Sequence, residues 1–458
     1  MSDLDWVKDF TEKEGERFIE LSKEIWSYAE LPFEEKKSAQ KMIRLLKEEG
    51  FEVTENISNI STAFTASFGK GRPRFGFLGE FDALDGLNQK GACAKKLSDK
   101  PGAPGHGCGH NLLGAGALGA AIGMKRYLEE KKIPGTLIFF GCPAEEGFGS
   151  KNFMARDGLF DDMDFIYSWH PSDKNAVQQE GSSAIIGARF EFSGISAHAG
   201  SEPWKGRSAL DACELMNIGA NYLREHIQDQ DRIHYAYENA GGSLPNVIPD
   251  RAVIKYEVRS PKIEGAQKIY QRIRRIAEGA ALMTETHMSF QMTFAFCDYE
   301  TNRALAPIAQ KALEDLGPTP WTEEDQAFAE GFRQEKKGEL LTGRVEPFDP
   351  DLRIYESGST DVGDVSYAAP VVNFLMATQV KGTPGHSWQV VSQSNSPIGN
   401  RGLLQAIQVL ILSAMRTIQD PSRMKEAKEE VQRKNGGKFT SPMPEEVRPP
   451  QMESIETQ

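Results

Sequence analysis

Residues 135–146 have the sequence Gly-Thr-Leu-Ile-Phe-Phe-Gly-Cys-Pro-Ala-Glu-Glu, an apolar run that ends in two acidic side chains. A short, almost wholly apolar run of this kind predicts a β-strand that is buried on both faces. Residues 74–79 form a similar run before Glu80-Phe81-Asp82, and residues 164–169 lead to His170. Open α/β sheets bind ligands outside the carboxyl ends of their strands. The sequence therefore predicts an α/β fold in which reactive side chains gather at one edge of a mostly parallel sheet.

The pattern changes near residue 185, where alternating strands and amphipathic helices predict a compact α+β unit, and the α/β pattern resumes near residue 301. We therefore predict a catalytic α/β/α domain made of residues 1–185 and 299–458, including a C-terminal tail, with an inserted lid and dimerisation domain at 186–298. The predicted helices are 12–49, 111–124, 206–228, 262–283 and 397–418, and the later strands are 185–192, 232–238, 252–259, 288–295 and 371–378.

Composition limits the classes of partner. The chain has 458 residues, a formal net charge of -13 and 39% hydrophobic residues, which is typical of a soluble globular protein and unfavourable for binding a phosphate backbone. The polar start lacks the apolar run of a signal peptide, and no stretch approaches the ~20 apolar residues of a membrane span. Five scattered cysteines argue against a disulfide framework. We expect a cytoplasmic protein with no nucleic-acid and no membrane partner.

The chain contains only eight histidines, so their positions are informative. Three lie in periodic helix or strand segments, and we interpret them as structural: His226, His234 and His287. The others lie in loops or at strand ends: His106, His110, His170, His198 and His386. This second group supplies the candidates for metal ligands and catalytic groups.

The Gly-rich loop at 105–110 holds a thiol and an imidazole two residues apart, at Cys108 and His110. Glycine lets the backbone bend both side chains toward one point, and both are good ligands for zinc and related metals. A tight turn with a buried cysteine and a capping histidine is the alternative for this loop.

Glu145 and Glu146 follow the strand at 135–142 directly. Adjacent residues in an extended chain point in different directions, so one carboxylate can bind a metal while the other faces a bound water as general base. A solvated acidic loop is the alternative, and the apolar strand just before the pair argues against it.

His170 and His386 complete a set of side chains that follow strands of the same predicted sheet. Their convergence favours two metals that share one ligand. His198 lies in the inserted unit, where it is either a surface histidine or an electrophile that polarises the scissile carbonyl. The converging candidates are Cys108, His110, Glu146, His170 and His386.

Five motifs follow one another along the chain: Gly-His-Gly-Cys-Gly-His-Asn (105–111), Pro-Ala-Glu-Glu-Gly (143–147), Ser-Ala-His-Ala (196–199), Asn-Val-Ile-Pro-Asp (246–250) and Gly-Ser-Thr-Asp-Val-Gly-Asp-Val-Ser (358–366). With them the sequence resembles the M20 metallopeptidases, within the aminoacylase/amidohydrolase branch that uses a cysteine as metal ligand. The resemblance covers roughly residues 15–435. It implies a catalytic α/β domain and an inserted lid that forms a homodimer.

The resemblance also implies two divalent metal ions per subunit, zinc or manganese, with Cys108 as the bridging ligand. Glu145 would be the general base, and His198 would reach the active site of the partner subunit. Arg259 would bind the carboxylate of the substrate, and Asn246 would contact the substrate beside it. The implied metal ligands are Cys108, His110, Glu146, His170 and His386.

One departure concerns the first strand, which in the wider family ends in His-x-Asp and here ends in Glu80-Phe81-Asp82. We do not expect Glu80 to replace that histidine as a ligand. Asp82 would orient a ligand from behind. The Lys-rich insert at 84–104 is either part of a substrate entrance or a plain loop.

The resemblance implies a metal-dependent amidohydrolase that cleaves an N-acyl amino acid with an aromatic acyl group, such as p-aminobenzoyl-glutamate. A dipeptidase or an indole-3-acetyl-aspartate hydrolase is an alternative of the same fold, and a second, related subunit is a further partner to consider. A non-catalytic ligand-binding or regulatory subunit is the alternative from another class, although such a protein needs no general base. A thiol protease with Cys108 as nucleophile is the least favoured interpretation.

Overall fold

The structure is a computed structural model of the chain, and it describes residues 2–333, 338–352 and 354–450. The strands in this part of the chain are β1 (Glu52–Glu55), β2 (Phe64–Lys70), β3 (Arg74–Glu80), β4 (Gly135–Cys142), β5 (Phe165–Ser172), β6 (Ala176–Val177), β7 (Gly181–Ser182), β8 (Ala184–Ser193), β9 (Arg232–Asn239), β10 (Arg251–Ser260), β11 (His287–Phe296), β12 (Tyr355–Glu356) and β13 (Val371–Ala377). The α-helices are α1 (Asp3–Tyr28), α2 (Lys36–Glu48), α3 (His110–Lys131), α4 (Lys151–Arg156), α5 (Ala209–Leu223), α6 (Ile263–Thr284), α7 (Ala306–Leu316), α8 (Glu323–Glu330), α9 (Val362–Ala368), α10 (Trp388–Ser394), α11 (Pro397–Ile418) and α12 (Pro421–Asn435).

The larger sheet has the strand order β1-β2-β4-β3-β5-β13-β6. Its four central strands are parallel, whereas β1, β2 and β6 pair antiparallel at the two sides. Strands β3 and β4 are buried along nearly their whole length, as their apolar sequences predicted. The predicted α/β fold with a mostly parallel central sheet is confirmed, and the carboxyl ends of β3, β4, β5 and β13 share one edge.

Helix α3 packs directly against β3 because its small residues permit a close approach. A Cβ atom at Gly114 would lie 2.5 Å from the carbonyl oxygen of Glu80, and one at Gly116 would lie 2.9 Å from the ring of Trp169. Helices α1 and α11 cover α3 and complete the core on this face of the sheet. The first residue of α3, His110, is therefore held at the edge where the central strands end.

The smaller sheet is antiparallel, with strand order β11-β8-β10-β9. Helices α5 and α6 cover one of its faces. Strand β9 forms one edge and is mostly exposed. This sheet begins at Ala184, close to the predicted start of the inserted lid at 186, and the predicted domain boundaries stay a prediction.

Two elements differ from the sequence-based expectations, and a third had no predicted structure. The helix predicted at 12–49 is two helices, because Ala29 and Phe33 adopt left-handed φ angles of 43° and 68° around Pro32. The segment predicted at 206–228 is helical only over 209–223, followed by a 3-10 turn. The start of the C-terminal tail forms α12, since the Asp420 side chain caps a helix with proline in its first turn.

Helix α11 has the predicted bounds, 397–418, and is strongly apolar. By length and composition it is the one helix in the described residues that would suffice to cross a membrane. Most of that apolar stretch, 78%, is buried inside this fold against α3, α7 and the sheet.

Candidate metal centre and substrate cleft

The loop before α3 places two candidate ligands at the edge of the sheet. Gly109 has a φ of 79°, and a Cβ atom there would lie 3.0 Å from Pro171. Only glycine accepts both the left-handed φ and this close approach without strain. The turn at Gly109 directs Cys108 and His110 toward His170 on β5.

The ligand atoms of Cys108, His110 and His170 all lie within 4.8 Å of one another. The Cys108 Sγ atom is 3.3 Å from His170 Nε2. The Nδ1 atom of His170 lies 2.7 Å from the carbonyl oxygen of Pro171, to which it can donate a hydrogen bond. That bond leaves Nε2 of His170 unprotonated and facing the thiol, as a metal ligand requires.

A second group consists of Cys108, Glu146 and His386, whose ligand atoms also lie within 4.8 Å of one another. Glu146 Oε1 is 3.3 Å from His386 Nε2 and 4.0 Å from His110 Nε2. The backbone N–H of His386 donates to the carbonyl of Gly107, which ties the two ligand loops together. Cys108 belongs to both groups, so the structure brings all five predicted ligands to one place with the thiol between them.

The donor set fits two divalent cations. Thiolate, imidazole and carboxylate groups are the usual zinc ligands, and a shared thiolate suits a two-metal site. His110 Nε2 and Glu146 Oε1 are buried and make no hydrogen bond within the described residues. Such buried polar atoms are costly unless something binds them, and a metal ion would do so.

Asp82 orients two of these ligands from behind. Its Oδ1 atom lies 2.8 Å from Nδ1 of His110, and its Oδ2 atom accepts the backbone N–H of Glu146 at 2.8 Å. The first contact turns Nε2 of His110 toward the centre, as carboxylate–histidine pairs do in metal sites. This geometry matches the supporting role predicted for Asp82.

Glu145 and Glu146 have opposite electrostatic environments although they are neighbours. Burial, followed by the negative charges of Glu80 and Glu146, raises the pKa of Glu145 well above its usual range. Burial also disfavours the charged form of Glu146, but the close contact with the His386 imidazole and the charge of His110 outweigh it and lower the pKa to about 2. One carboxylate therefore favours a proton and the other favours the charged, ligating form, which is the division expected of a base and a ligand.

The sequence analysis missed a buried ion-pair network beside the centre. The Nζ atom of Lys151 is fully buried and lies 2.9 Å from Glu80 and 2.6 Å from Asp361. The other oxygen of Asp361 accepts the backbone N–H groups of Ser150 and Lys151. Glu80 is thus paired with lysine, and the signal that could have indicated it is a lysine in a short segment bounded by Phe148 and Phe153.

Glu80 also lies close to the centre, with one oxygen 3.3 Å from His110 Nε2. Glu80, His110 and Glu145 form a third group of potential ligands within 4.8 Å of one another. Because its other oxygen is held by Lys151, Glu80 is a weaker candidate ligand than the five residues above.

Burial shifts the pKa values of two side chains in the loop before α3, Cys108 and His106. Burial raises the pKa of the Cys108 thiol, the reverse of the depressed pKa of a cysteine nucleophile, so the thiol-protease interpretation gains no support. Burial lowers the pKa of His106 to about 3, and its Nε2 lies 3.1 Å from the carbonyl of Ile25. His106 is therefore a neutral histidine that joins the loop to α1. The exposed His226, His234 and His287 belong to neither ligand group.

A cleft of about 850 Å³ opens over the centre and is lined by both sheets. From the smaller sheet, Arg259 reaches it, with Nη1 donating to Ser359 Oγ at 2.9 Å. Phe294 and Phe296 add an aromatic wall, and Glu145 lies at the metal end. The cleft therefore offers a cation and aromatic rings opposite the ligand groups.

His198 and Asn246, in contrast, do not line this cleft. Both are on the surface of the inserted unit, where the carbonyl of Asn246 accepts the N–H of Ala199. The Nδ1 atom of His198 accepts the N–H groups of Gly200 and Ser201, each at 3.1 Å. The ring orientation that makes these two bonds leaves Nε2 exposed as an N–H donor.

A model of peptidase family M20/M25/M40 matches residues 76–334, more than half of the chain. The chain belongs to this family. Over 472 aligned residues it is 38% identical to the B subunit of p-aminobenzoyl-glutamate hydrolase of Escherichia coli (strain K12), covering 97% of this chain and 98% of that protein. It is 27% identical to the Xaa-Arg dipeptidase of Mus musculus, covering 91% and 89%.

Among solved structures, the fold resembles that of a dinuclear metal-binding peptidase of the M20 family from Bacillus subtilis. The TM-score is 0.58 at 19% identity, and the match covers 88% of this chain and 99% of the other. The family and its hydrolase members identify this M20 chain as a metal-dependent amidohydrolase or peptidase. This chain carries groups of potential metal ligands where the central strands end.

Proposed function

We propose that this M20 chain hydrolyses the amide bond of an N-acyl amino acid with an aromatic acyl group, and that p-aminobenzoyl-glutamate is the leading candidate substrate. The observation that carries the proposal is the meeting of two ligand groups at Cys108 beside Glu145, in a cleft that also holds Arg259. The 38% identity to an Escherichia coli p-aminobenzoyl-glutamate hydrolase chain, over nearly the whole of both proteins, supports this choice of substrate.

The cleft offers binding groups for both ends of such a substrate, its carboxylate and its aromatic ring. Arg259 offers a planar guanidinium, which can bind a carboxylate through two parallel hydrogen bonds. Phe294 and Phe296 offer a surface for an aromatic ring. The scissile amide would then lie between them, near Glu145.

When bound, two divalent cations, zinc or manganese, would supply Lewis acidity for the carbonyl and acidify a water molecule. Cys108, His110 and His170 would hold one ion, and Cys108, Glu146 and His386 the other. Glu145 would take a proton from the attacking water and pass it to the leaving nitrogen. Asp82 would keep His110 and Glu146 in their orientations during the reaction.

His198 would complete the site from a second copy of the chain in a homodimer formed through the lid. Two observations support this role. The Nε2–H of His198 is an exposed donor, and His198 does not line the cleft of its own chain. The edge strand β9 and exposed apolar side chains, such as Tyr237 and Leu244, offer a surface for the contact. An imidazole N–H placed there would stabilise the oxyanion, with Asn246 beside it.

Two further points belong to the proposal. A reducing, cytoplasmic location is supported by the five cysteines, which are all free, and by the need for Cys108 as a thiolate. A second, related subunit as partner is supported by the Escherichia coli hydrolase, whose A and B subunits are both similar in sequence to this chain.

A dipeptidase acting on a basic residue is the second candidate. It is favoured by the similarity to the Xaa-Arg dipeptidase and by acidic side chains that line the cleft, Glu180, Glu257 and Glu356. These carboxylates could bind a cationic side chain in place of an aromatic ring. An indole-3-acetyl-aspartate hydrolase would need the same aromatic and cationic groups as the leading candidate.

A substrate panel on metal-reconstituted protein tests the proposal. The panel sets p-aminobenzoyl-glutamate and indole-3-acetyl-aspartate beside dipeptides that end in arginine, each with zinc, with manganese and with a chelator. We expect metal-dependent hydrolysis of p-aminobenzoyl-glutamate, followed as release of free glutamate, at the highest kcat/KM. Faster release of arginine would favour the dipeptidase, and no metal-dependent turnover on any substrate would overturn both.

A further inference from the structure

The cleft contains a second fixed cation besides Arg259. Among the described residues that line it, Lys174 and Arg259 are the two lysine or arginine side chains. Arg259 comes from the smaller sheet, whereas Lys174 follows β5 only four residues after His170. The two cations therefore approach the cleft from different parts of the fold.

The position of Lys174 is fixed by its neighbours. The Asp173 side chain accepts the backbone N–H of Gly382, which joins this turn to the loop that carries His386. Farther along, Gln178 and Asn373 exchange a side-chain and a backbone hydrogen bond across β6 and β13. Lys174 thus lies on a turn held between the two strands that lead to His170 and His386.

Both cations have a similar, loose carboxylate partner. The Nζ atom of Lys174 lies 3.5 Å from Glu180, and Nη2 of Arg259 lies 3.4 Å from Glu257. Charge-assisted hydrogen bonds are normally about 2.7–2.9 Å long, so neither pair is tight. The Lys174 side chain keeps 28% of its surface exposed and has three N–H donors. Its charge is therefore placed in the cleft with donors left for a ligand.

The segment 355–359 connects the part of the cleft that holds Lys174 with the part that holds Arg259. Tyr355 and Glu356 pair with Gly181 and Ser182, directly after Glu180, and Ser359 binds Arg259. The walls that carry Lys174 and Arg259 are thereby part of one continuous hydrogen-bonded rim. A rigid rim of this kind can distinguish ligands by the number and placement of their charges.

We infer that Lys174 binds a second carboxylate of the substrate, so that the cleft selects amides of dicarboxylic amino acids over amides of neutral ones. The inference rests on the proposed function, because it assigns Arg259 to the carboxylate next to the scissile bond. Lys174 is then a specificity-determining residue, and the reaction at the amide does not require it.

A pair of matched substrates tests the inference. The compounds p-aminobenzoyl-glutamate and p-aminobenzoyl-glutamine share the acyl group, the α-carboxylate and nearly the same shape, and differ in the second carboxylate. A hydrogen bond to a charged group typically changes binding by a factor of about 10–100. We expect the wild-type protein to prefer the glutamate compound by about that factor in kcat/KM, mainly through KM.

The variant Lys174→Met should abolish this preference while leaving kcat/KM for the glutamine compound within about 3-fold of wild type. Lys174→Glu should reverse it, because two carboxylates then repel each other. The matched control is Lys23→Met, which removes an equally loose ion pair on α1, 3.7 Å from Glu16 and outside the cleft. That control should change the hydrolysis of neither substrate.

The inference is overturned if wild-type protein treats both compounds alike, or if Lys174→Met slows both by the same factor. Binding provides a readout that does not depend on turnover. On a Glu145→Gln background, titration calorimetry with both compounds should show a loss of affinity for the glutamate compound alone when Lys174 is replaced. Equal affinities before and after replacement would refute the role of Lys174, whereas absence of hydrolysis by wild-type protein with selective binding intact would refute only the proposed reaction.

Discussion

The predicted functional residues lie in two regions that differ in how their side chains are held. One is the edge of the larger sheet where the candidate metal ligands meet, and the other is the exposed surface beside the smaller sheet. At the edge, each candidate ligand is held by contacts within the same chain, as Asp82 holds His110 and Gly107 holds the backbone of His386. In the loops that follow strands of the smaller sheet, His198 and Asn246 are exposed and do not line the cleft. The difference teaches that one chain alone brings the ligand groups together, whereas it leaves the predicted oxyanion donor outside its own cleft.

The largest expected effect is on kcat, and it distinguishes the predicted general base, Glu145, from the predicted metal ligand next to it, Glu146. Glu145→Gln should lower kcat by about 10³–10⁴-fold, because the amide cannot accept the proton of the attacking water. Two bound metal ions per chain should remain, measured by inductively coupled plasma mass spectrometry. Glu146→Gln is the matched control and should lose metal as well as activity. Retention of near wild-type kcat in Glu145→Gln would mean that another group is the base.

Replacing the shared thiol tests whether the two ligand groups depend on each other. Cys108→Ala removes a ligand from both groups, so we expect both ions to bind at least about 10-fold more weakly. His386→Ala, which belongs to one group, should weaken one ion only. Competition with a chromophoric chelator measures the two affinities. Independent loss of a single ion in Cys108→Ala would exclude a bridging thiolate.

Mixing two inactive variants tests the inter-subunit role of His198. His198→Ala should reduce kcat by about 10²–10³-fold with metal content unchanged. When His198→Ala and Glu145→Gln chains are mixed and allowed to exchange, each mixed dimer regains one intact site. Random pairing then restores about a quarter of wild-type activity. If no activity returns although mixed dimers form, His198 acts within its own chain or not at all.

The buried ion-pair network should contribute to stability more than a surface pair does. Lys151→Met leaves Glu80 and Asp361 without their shared cation, and breaking a buried pair costs about 3–5 kcal/mol. Denaturant unfolding monitored by circular dichroism measures the loss. Lys13→Met, at the exposed pair with Asp9, is the control and should change stability by less than about 1 kcal/mol. Equal effects of the two variants would show that the network is not a stabilising element.

The smallest effect concerns pH. Burial raises the pKa of Asp364 to about 8, above the unfolded value of about 3.9, so the folded state holds a proton there. The resulting stability is complete below about pH 4 and is lost as pH rises through about 8. Asp364→Asn removes this dependence, so its Tm relative to wild type should rise between pH 6 and pH 9. Asp161→Asn, at the surface, should show no such change, and a pH-independent difference for Asp364→Asn would contradict the prediction.

Much of the site was predictable because its residues directly follow apolar strands. The strand at 135–142 and the helix at 397–418 have the predicted bounds, since buried strands and proline-led helices have strong local signals. The network of Lys151, Glu80 and Asp361 was not predictable from local pattern. Its members are far apart in sequence, and a buried lysine is revealed only when packing removes it from water.

The break between α1 and α2 and the docking of α12 show the same limit. Local charge patterns favour helix throughout 12–49, whereas the fold has a left-handed turn at Ala29, after which Glu35 accepts hydrogen bonds from the Thr62 hydroxyl and the N–H of Ala144. Helix α12 is polar by composition, and it joins the fold through the buried Ala427 and Val431 and through the ion pair of Lys428 with Asp164.

The sequence by itself determined the α/β class, the family and the identities of the five candidate ligands, because these depend on residue types in short motifs. The tertiary structure decided which side chains share one cleft: it placed Cys108 in both ligand groups, turned Arg259 and Lys174 inward and left His198 outside. The physical reason is that strand register, helix packing and the φ angle at Gly109 set directions over distances that local sequence does not specify.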